Sequence, residues 1–244
     1  MNLVKQANIV NAAPSQTVDG RFSAPGSIAF EQASRSMDTR SLPYRLVKRA
    51  FDIVFSLIAI CVGAVPCLLL ALCVAFDTRS TPLYRQERVG QYGKPFRIVK
   101  FRTMVADSDN LERYFCEERL ADWKREGKVD NDPRVTKLGA VLRKTSIDEF
   151  PQFFNVLLGQ LSIVGPRAIT RSELDNYGSG SVKLLSVPQG ITGRWQCGAR
   201  NCALFSDGSR QAIELSYVEE ASAIVDLRIM ARTVKVMLFE KSGK

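Results

Sequence analysis

Between Ile53 and Phe76 the chain runs for about 24 residues without a charge (IVFSLIAICVGAVPCLLLALCVAF), and no other feature limits its fold so severely. As one helix this run reaches roughly 36 Å, enough to match the hydrocarbon thickness of a bilayer. A helix buried in a soluble core rarely goes so far without a polar stripe. Pro66 stands in the middle, where it removes a backbone hydrogen bond and pushes the helix into a bend. Arg45, Lys48 and Arg49 precede the run, and Arg79, Arg85 and Arg88 follow it. A crossing helix should carry its positive charge asymmetrically. Basic residues on both sides fit better with a helix broken at Pro66 that enters the membrane and returns to the same face. A simple span remains the alternative at this point.

The rest of the composition narrows the chemistry. The 244 residues carry a formal net charge of +9, which implies an anionic partner: phosphate groups, an anionic membrane surface or nucleic acid. There is no histidine, so serine–histidine and cysteine–histidine catalysis are excluded. Of the six cysteines, Cys61, Cys67 and Cys73 fall in the apolar run and read as small buried hydrophobes. Cys116, Cys197 and Cys202 lack CxxC spacing, so neither a zinc site nor a disulfide framework is indicated, in keeping with a reduced, cytoplasm-facing protein. No interleaved aromatics or nucleic-acid reader motif are present, and we expect no nucleic-acid partner.

Residues 1–43 are rich in Ser, Ala, Gln and Asn, broken by Pro14, Gly20, Pro25 and Gly26, and read as a flexible arm. We expect residues 44–78 to form the membrane segment and 79–244 the folded domain that carries the chemistry. In that domain PLYRQERVG and KPFRIVKFRTM predict a β-hairpin about Gln91-Tyr92-Gly93, and residues 107–127 a charged surface helix. Asp132-Pro133 predicts a helix start, a capping residue followed by proline. PQFFNVLLGQ predicts a short helix ending near Gly159, and the last 30 residues predict amphipathic helices that either pack on the core or lie on the membrane surface.

The chemistry concentrates in Ser146-Ile147-Asp148-Glu149-Phe150-Pro151-Gln152. Ser followed three residues later by Glu is a capping box that any soluble helix can carry. Adjacent carboxylates at a helix start also sit in a positive field that keeps them ionised and welcomes phosphate. A carboxylate can attack a diphosphate only where the repulsion between anions is neutralised, usually by magnesium and by arginine or lysine. Candidate cations are Lys100 and Arg102 in VKFRTM, Arg143 in VLRKTS, Arg167 in VGPRA and Arg200 in GARN. Each alone reads as a solvated surface charge; together they suggest a phosphate-binding wall.

LYRQERVGQYGKPFRIVKFRTM, DPRVTKLGAVLRKTSIDEFPQFFNVLLGQLSIVGPRA and ITGRWQ…ARN resemble the bacterial sugar transferase family, the monotopic phosphoglycosyl transferases. The likeness runs from about Lys48 to Val236. It implies a compact, mostly helical α/β (α+β) fold with a re-entrant, proline-broken membrane helix and amphipathic interfacial helices, on the cytoplasmic face of the bacterial inner membrane. It also implies a reaction: Asp148 attacks the sugar-linked phosphate of a UDP-sugar, UDP-galactose or UDP-glucose, and expels UMP. The acyl phosphate then passes its phosphosugar to undecaprenyl phosphate, starting exopolysaccharide assembly. By the same resemblance, Asp148 and Glu149 hold Mg2+, and Lys100, Arg143 and Arg167 face phosphate, with Arg200 in a further motif. Ala168 follows Arg167 where the family usually has proline. The rival reading is a catalytically inactive, membrane-bound scaffold of a polysaccharide assembly complex. The oligomeric state is left open, a homodimer included.

Overall fold

The apolar run is the middle of one 37-residue helix, Leu42–Thr78, that carries Pro66 in its interior. The computed structural model describes residues 24–126, 129–198 and 203–239. In chain order the elements are α1 (Ile28–Ser36), α2 (Leu42–Thr78), β1 (Leu83–Val89), β2 (Pro95–Phe101), α3 (Leu111–Tyr114), α4 (Glu117–Glu126), α5 (Lys137–Thr145) and α6 (Gln152–Leu157). There follow β3 (Ser162–Val164), α7 (Arg171–Leu174), α8 (Gly180–Leu184), β4 (Gly190–Thr192), α9 (Arg194–Gly198), α10 (Ser209–Glu220) and α11 (Ala223–Phe239). The fold is mostly helical α+β. β1 and β2 form an antiparallel hairpin with Tyr84 opposite Lys100 and Arg88 opposite Phe96. β3 and β4 form a short parallel pair, joined to the hairpin through the Val89–Ile169 bridge.

One stripe of α2 faces the rest of the fold along much of its length. Lys48, Asp52, Ser56, Val74 and Thr78 are buried, at spacings that keep them on one side of a helix. Lys48 Nζ pairs with Asp226 of α11 at 2.6 Å, and Asp226 also accepts from the hydroxyls of Tyr44 and Tyr217 at 2.9 and 2.8 Å. Asp52 accepts the amide of Ile163 on β3, and Arg49 donates to the carbonyls of Val156 and Leu157 at the end of α6. Farther along, Cys67, Leu70 and Ala71 pack with Phe101, Leu142 and Phe150. The other faces of α2 are bare and apolar, with Val62, Val65, Leu68 and Phe76 all more than 60% exposed. A long, charge-free surface of this kind is not stable in water and marks contact with a membrane.

Helix α2 continues through Pro66, whose missing N–H deprives the Val62 carbonyl of its partner and favours a bend there. Several other expectations need correction. Cys61 and Cys73 are exposed on the outer face of α2 rather than buried. Residues 1–23 of the expected flexible arm lie outside the described residues, but its later part is ordered. Phe30 of α1 is 2% exposed in a cluster with Val89, Ile169 and Leu184, and Ser34 donates to the carbonyl of Val182. Arg35 stacks over the Tyr92 ring and the Tyr92 hydroxyl donates to Asp38, so polar contacts hold the segment as well as Phe30. The helix expected at Asp132-Pro133 starts later. Thr136 caps α5, and Asp132 instead accepts from its neighbour Arg134. The charged helix expected over 107–127 is split between α3 and α4, because Phe115 turns extended and is buried. The hairpin about Gln91–Gly93 and the short helix before Gly159 form where the sequence predicts them.

Candidate active site

α5 ends on Ser146 in the left-handed conformation, and Ile147–Glu149 makes a single 3-10 turn that leads into α6. Ser146 therefore closes α5 rather than capping the next helix, and the capping-box reading of Ser146 and Glu149 is set aside. α6 is fixed against the hairpin by Asn155. Its side chain accepts the amide of Val99 at 3.1 Å and donates to the carbonyl of Arg97 at 2.8 Å, so it satisfies the open edge of β2. This holds the Asp148–Glu149 turn beside the face of β2 that carries Ile98 and Lys100.

Glu149 Oε1 accepts from Lys100 Nζ at 3.2 Å and lies 4.0 Å from Arg167 Nη1. Asp148 is buried at 9% exposure. Arg88, Lys100, Glu149, Gln152, Arg167 and Gly190 line one small cleft. Burial pushes the Lys100 ammonium below its usual pKa; the Glu149 charge opposes this drop and Arg167 adds to it. The cleft is thus a cationic wall facing the Glu149 carboxylate. It is suited to holding phosphate oxygens while a carboxylate approaches phosphorus.

The loop carrying Arg167 is seated by close backbone packing. A Cβ on Gly165 would lie 2.8 Å from the Gly190 amide and closer still to the Pro188 carbonyl. Only glycine lets the two backbone segments cross here. Gly190 donates to the carbonyl of Pro166, and Arg167 bridges to Gly190. Ala168, which stands where proline was expected, is buried in the main core, and its carbonyl accepts from Arg88 at 3.2 Å.

The sequence candidates divide. Lys100, Glu149 and Arg167 come together; Asp148 directly precedes Glu149 and is buried, but is not among the residues that line the cleft. Arg102 turns away: its guanidinium donates to the carbonyl and hydroxyl of Thr81 and stacks on Tyr84. It lies past the end of β2, where the strand no longer fixes which face it takes. Arg143 Nε donates to Thr103 Oγ1 at 2.8 Å, in the last turn of α5 and outside the residues lining the cleft. Arg200 lies outside the described residues. Sequence reading missed Arg88 and Gln152. Hairpin register offered a signal for Arg88, since counting back from the turn puts Arg88, Ile98 and Lys100 on one face. Gln152 follows Glu149 by three residues, which is the same side of a helical turn.

The profile of the bacterial sugar transferase family matches residues 43–240, which carry both the long apolar helix and every residue of this cleft. The chain belongs to the bacterial sugar transferase family. Among sugar transferases of known sequence, it is 36% identical over 201 residues to the exopolysaccharide production protein ExoY of Rhizobium meliloti (strain 1021), covering 81% of this chain and 88% of that protein. It is 37% identical over 197 residues to the undecaprenyl-phosphate galactose phosphotransferase of Salmonella typhimurium (strain LT2), covering 80% of this chain and 41% of that one. An uncharacterized sugar transferase of Haemophilus influenzae is 40% identical over 229 residues, with 92% and 47% covered. The chain thus spans most of ExoY but less than half of the two longer transferases.

Proposed function

We propose that this sugar transferase is a phosphoglycosyl transferase that moves hexose-1-phosphate from a UDP-sugar to undecaprenyl phosphate at the start of exopolysaccharide assembly. The observation that carries the reading is the Glu149 carboxylate held between Lys100 and Arg167, one residue from buried Asp148. The name of the Salmonella relative, an undecaprenyl-phosphate galactose phosphotransferase, points to the same lipid-linked chemistry, and that of the Rhizobium relative to exopolysaccharide production.

In this reading Lys100, Arg167 and Arg88 draw in the diphosphate and neutralise its oxygens. An Asp148 carboxylate oxygen forms a bond to the sugar-linked phosphorus while the bond from that phosphorus to the bridging oxygen breaks. UMP leaves with the bonding electrons. The aspartyl phosphosugar is then attacked by the phosphate oxygen of undecaprenyl phosphate, which restores the Asp148 carboxylate and yields the diphosphate-linked lipid. One site serves both anionic substrates because they occupy it in turn. Among the described residues no cluster of three or more ligating side chains occurs. The Asp148–Glu149 pair still fits Mg2+, which binds through one or two carboxylates and takes its remaining oxygens from substrate phosphates and water. Bound there, the ion would neutralise charge on the diphosphate.

The membrane reading is part of the same proposal: α2 enters the inner membrane from the cytoplasmic side and bends at Pro66 without crossing. Polar contacts near Lys48–Asp52 and packing near Val74–Thr78 involve the same domain, which supports both ends lying on one side. The exposed Leu227, Val234 and Met237 of α11 would rest on the membrane surface.

The test is UMP release by detergent-solubilised protein given Mg2+, a UDP-hexose and polyprenyl phosphate. Asp148→Asn should abolish release with an unchanged melting temperature. Normal turnover by that variant ends the nucleophile assignment.

A further inference from the structure

Behind Arg167 lies a set of charged side chains that the proposed chemistry does not use. Glu214 of α10 is 1% exposed, and both its carboxylate oxygens accept from the Arg167 amide, at 3.2 and 3.3 Å. Arg210, one turn earlier, is 6% exposed and stacks between Trp195 and Phe205 at 4.2 and 3.9 Å. The Arg167 guanidinium lies over the same Trp195 ring at 5.5 Å. Arg210 Nε has no hydrogen-bond partner among the described residues.

Burying such charges is expensive unless they do something that apolar side chains cannot. A leucine at 214 would fill the space but leave the Arg167 amide unsatisfied. A carboxylate grips that amide and also offsets the Arg167 and Arg210 charges. We infer that Glu214 is a positioning residue for the transfer reaction: its ionised carboxylate fixes the Arg167 main chain so that the Arg167 guanidinium faces Glu149 across the cleft. This deepens the proposed function and rests on it.

The charged and titratable groups facing Glu214 are Arg210 on its own helix, Arg167 on the β3–α7 segment and the Tyr177 hydroxyl on the Asp175–Tyr177 turn, with Glu173 paired to Arg88 and 3.7 Å from Arg210. Burial raises Glu214 to about 7, against the pull of Arg210, the Arg167 amide and the Arg167 charge. The grip is therefore strongest above neutral pH and weakens below it. The chain has no histidine to supply a competing protein titration in that range.

The experiment measures UMP release from pH 6 to pH 8.5 for full-length wild type, Glu214→Gln and Glu214→Leu, with melting temperatures as a fold control. Glu214→Gln keeps an acceptor for the amide but not the charge. Its turnover should fall about tenfold below wild type at pH 8.5, and the two should converge at pH 6, where wild type is itself protonated. Glu214→Leu, if folded, should be lower still at every pH. A wild-type/Gln ratio that is constant across the range, or equal to one throughout, overturns the inference. Failure of the wild type to release UMP at all would instead sink the function on which it rests. Polyprenyl phosphate also titrates near neutrality, but it is common to all three proteins and cancels in the ratio.

Discussion

The contact between the membrane helix and the catalytic turn is open to a one-methyl test. Gly63 of α2 sits against the Phe150 ring, and Phe150 directly follows Asp148 and Glu149, its amide closing the 3-10 turn onto the Ile147 carbonyl. In Gly63→Ala the new Cβ would lie 2.8 Å from Phe150 Cε1 and nearer to Cζ. Ordinary carbon–carbon contact is about 3.5–4.0 Å, so the ring tip must retreat by roughly 1.5 Å. It cannot retreat freely, because the ring also packs edge-on with Phe153 at 5.2 Å. Overpacking of this size costs about 1–3 kcal/mol. A displacement of about 1 Å at the catalytic turn can lower the rate by about 10²-fold. The assay is UMP release by detergent-solubilised Gly63→Ala, with melting temperature and membrane partitioning measured in parallel. Turnover should fall 10- to 100-fold while partitioning is unchanged, and Phe150→Leu in the same chain should recover part of the loss by vacating the space. Wild-type turnover in Gly63→Ala, or no recovery in the double variant, would refute the idea that α2 sets the position of the turn.

Other consequences are equally direct. Lys48→Met leaves Asp226 buried beside two tyrosine hydroxyls without its cation, and should destabilise the protein by about 3–5 kcal/mol, read by thermal unfolding in detergent. Lys100→Gln removes the cation nearest to Glu149 and should reduce kcat/KM for the UDP-sugar by about 10²-fold or more, checked by steady-state UMP release. Glu214 also links stability to pH. Its folded pKa of about 7 stands above the usual 4.5, so the folded state holds the proton more tightly. Stability is lost as pH rises from the unfolded to the folded pKa. Glu214→Gln should therefore gain on wild type by about 3 kcal/mol between pH 4.5 and pH 8, measured by denaturant unfolding at each pH; a difference independent of pH would contradict the buried, protonatable carboxyl.

Local order in the sequence determined the apolar helix, the hairpin and the identity of the carboxylate turn, because each depends on residues a few positions apart. The 24-residue run without charge can hardly be anything but a membrane-facing helix, and the Gln91–Gly93 turn pairs two strands whose register follows by counting. The motifs also named Lys100, Asp148, Glu149 and Arg167, but they could not separate those from Arg102, which extends the same run of positive charge and turns to Thr81 once the strand ends. Tertiary structure alone decided which cations converge, since Lys100 and Arg167 reach Glu149 across 49 and 18 residues of chain. It likewise decided that α1 docks against the hairpin turn, that α2 keeps its polar stripe against the domain, and that Arg210 and Glu214, one helical turn apart on α10, lie buried beneath the site. Burial is set by what packs on a residue from elsewhere in the chain, and no local pattern carries that information.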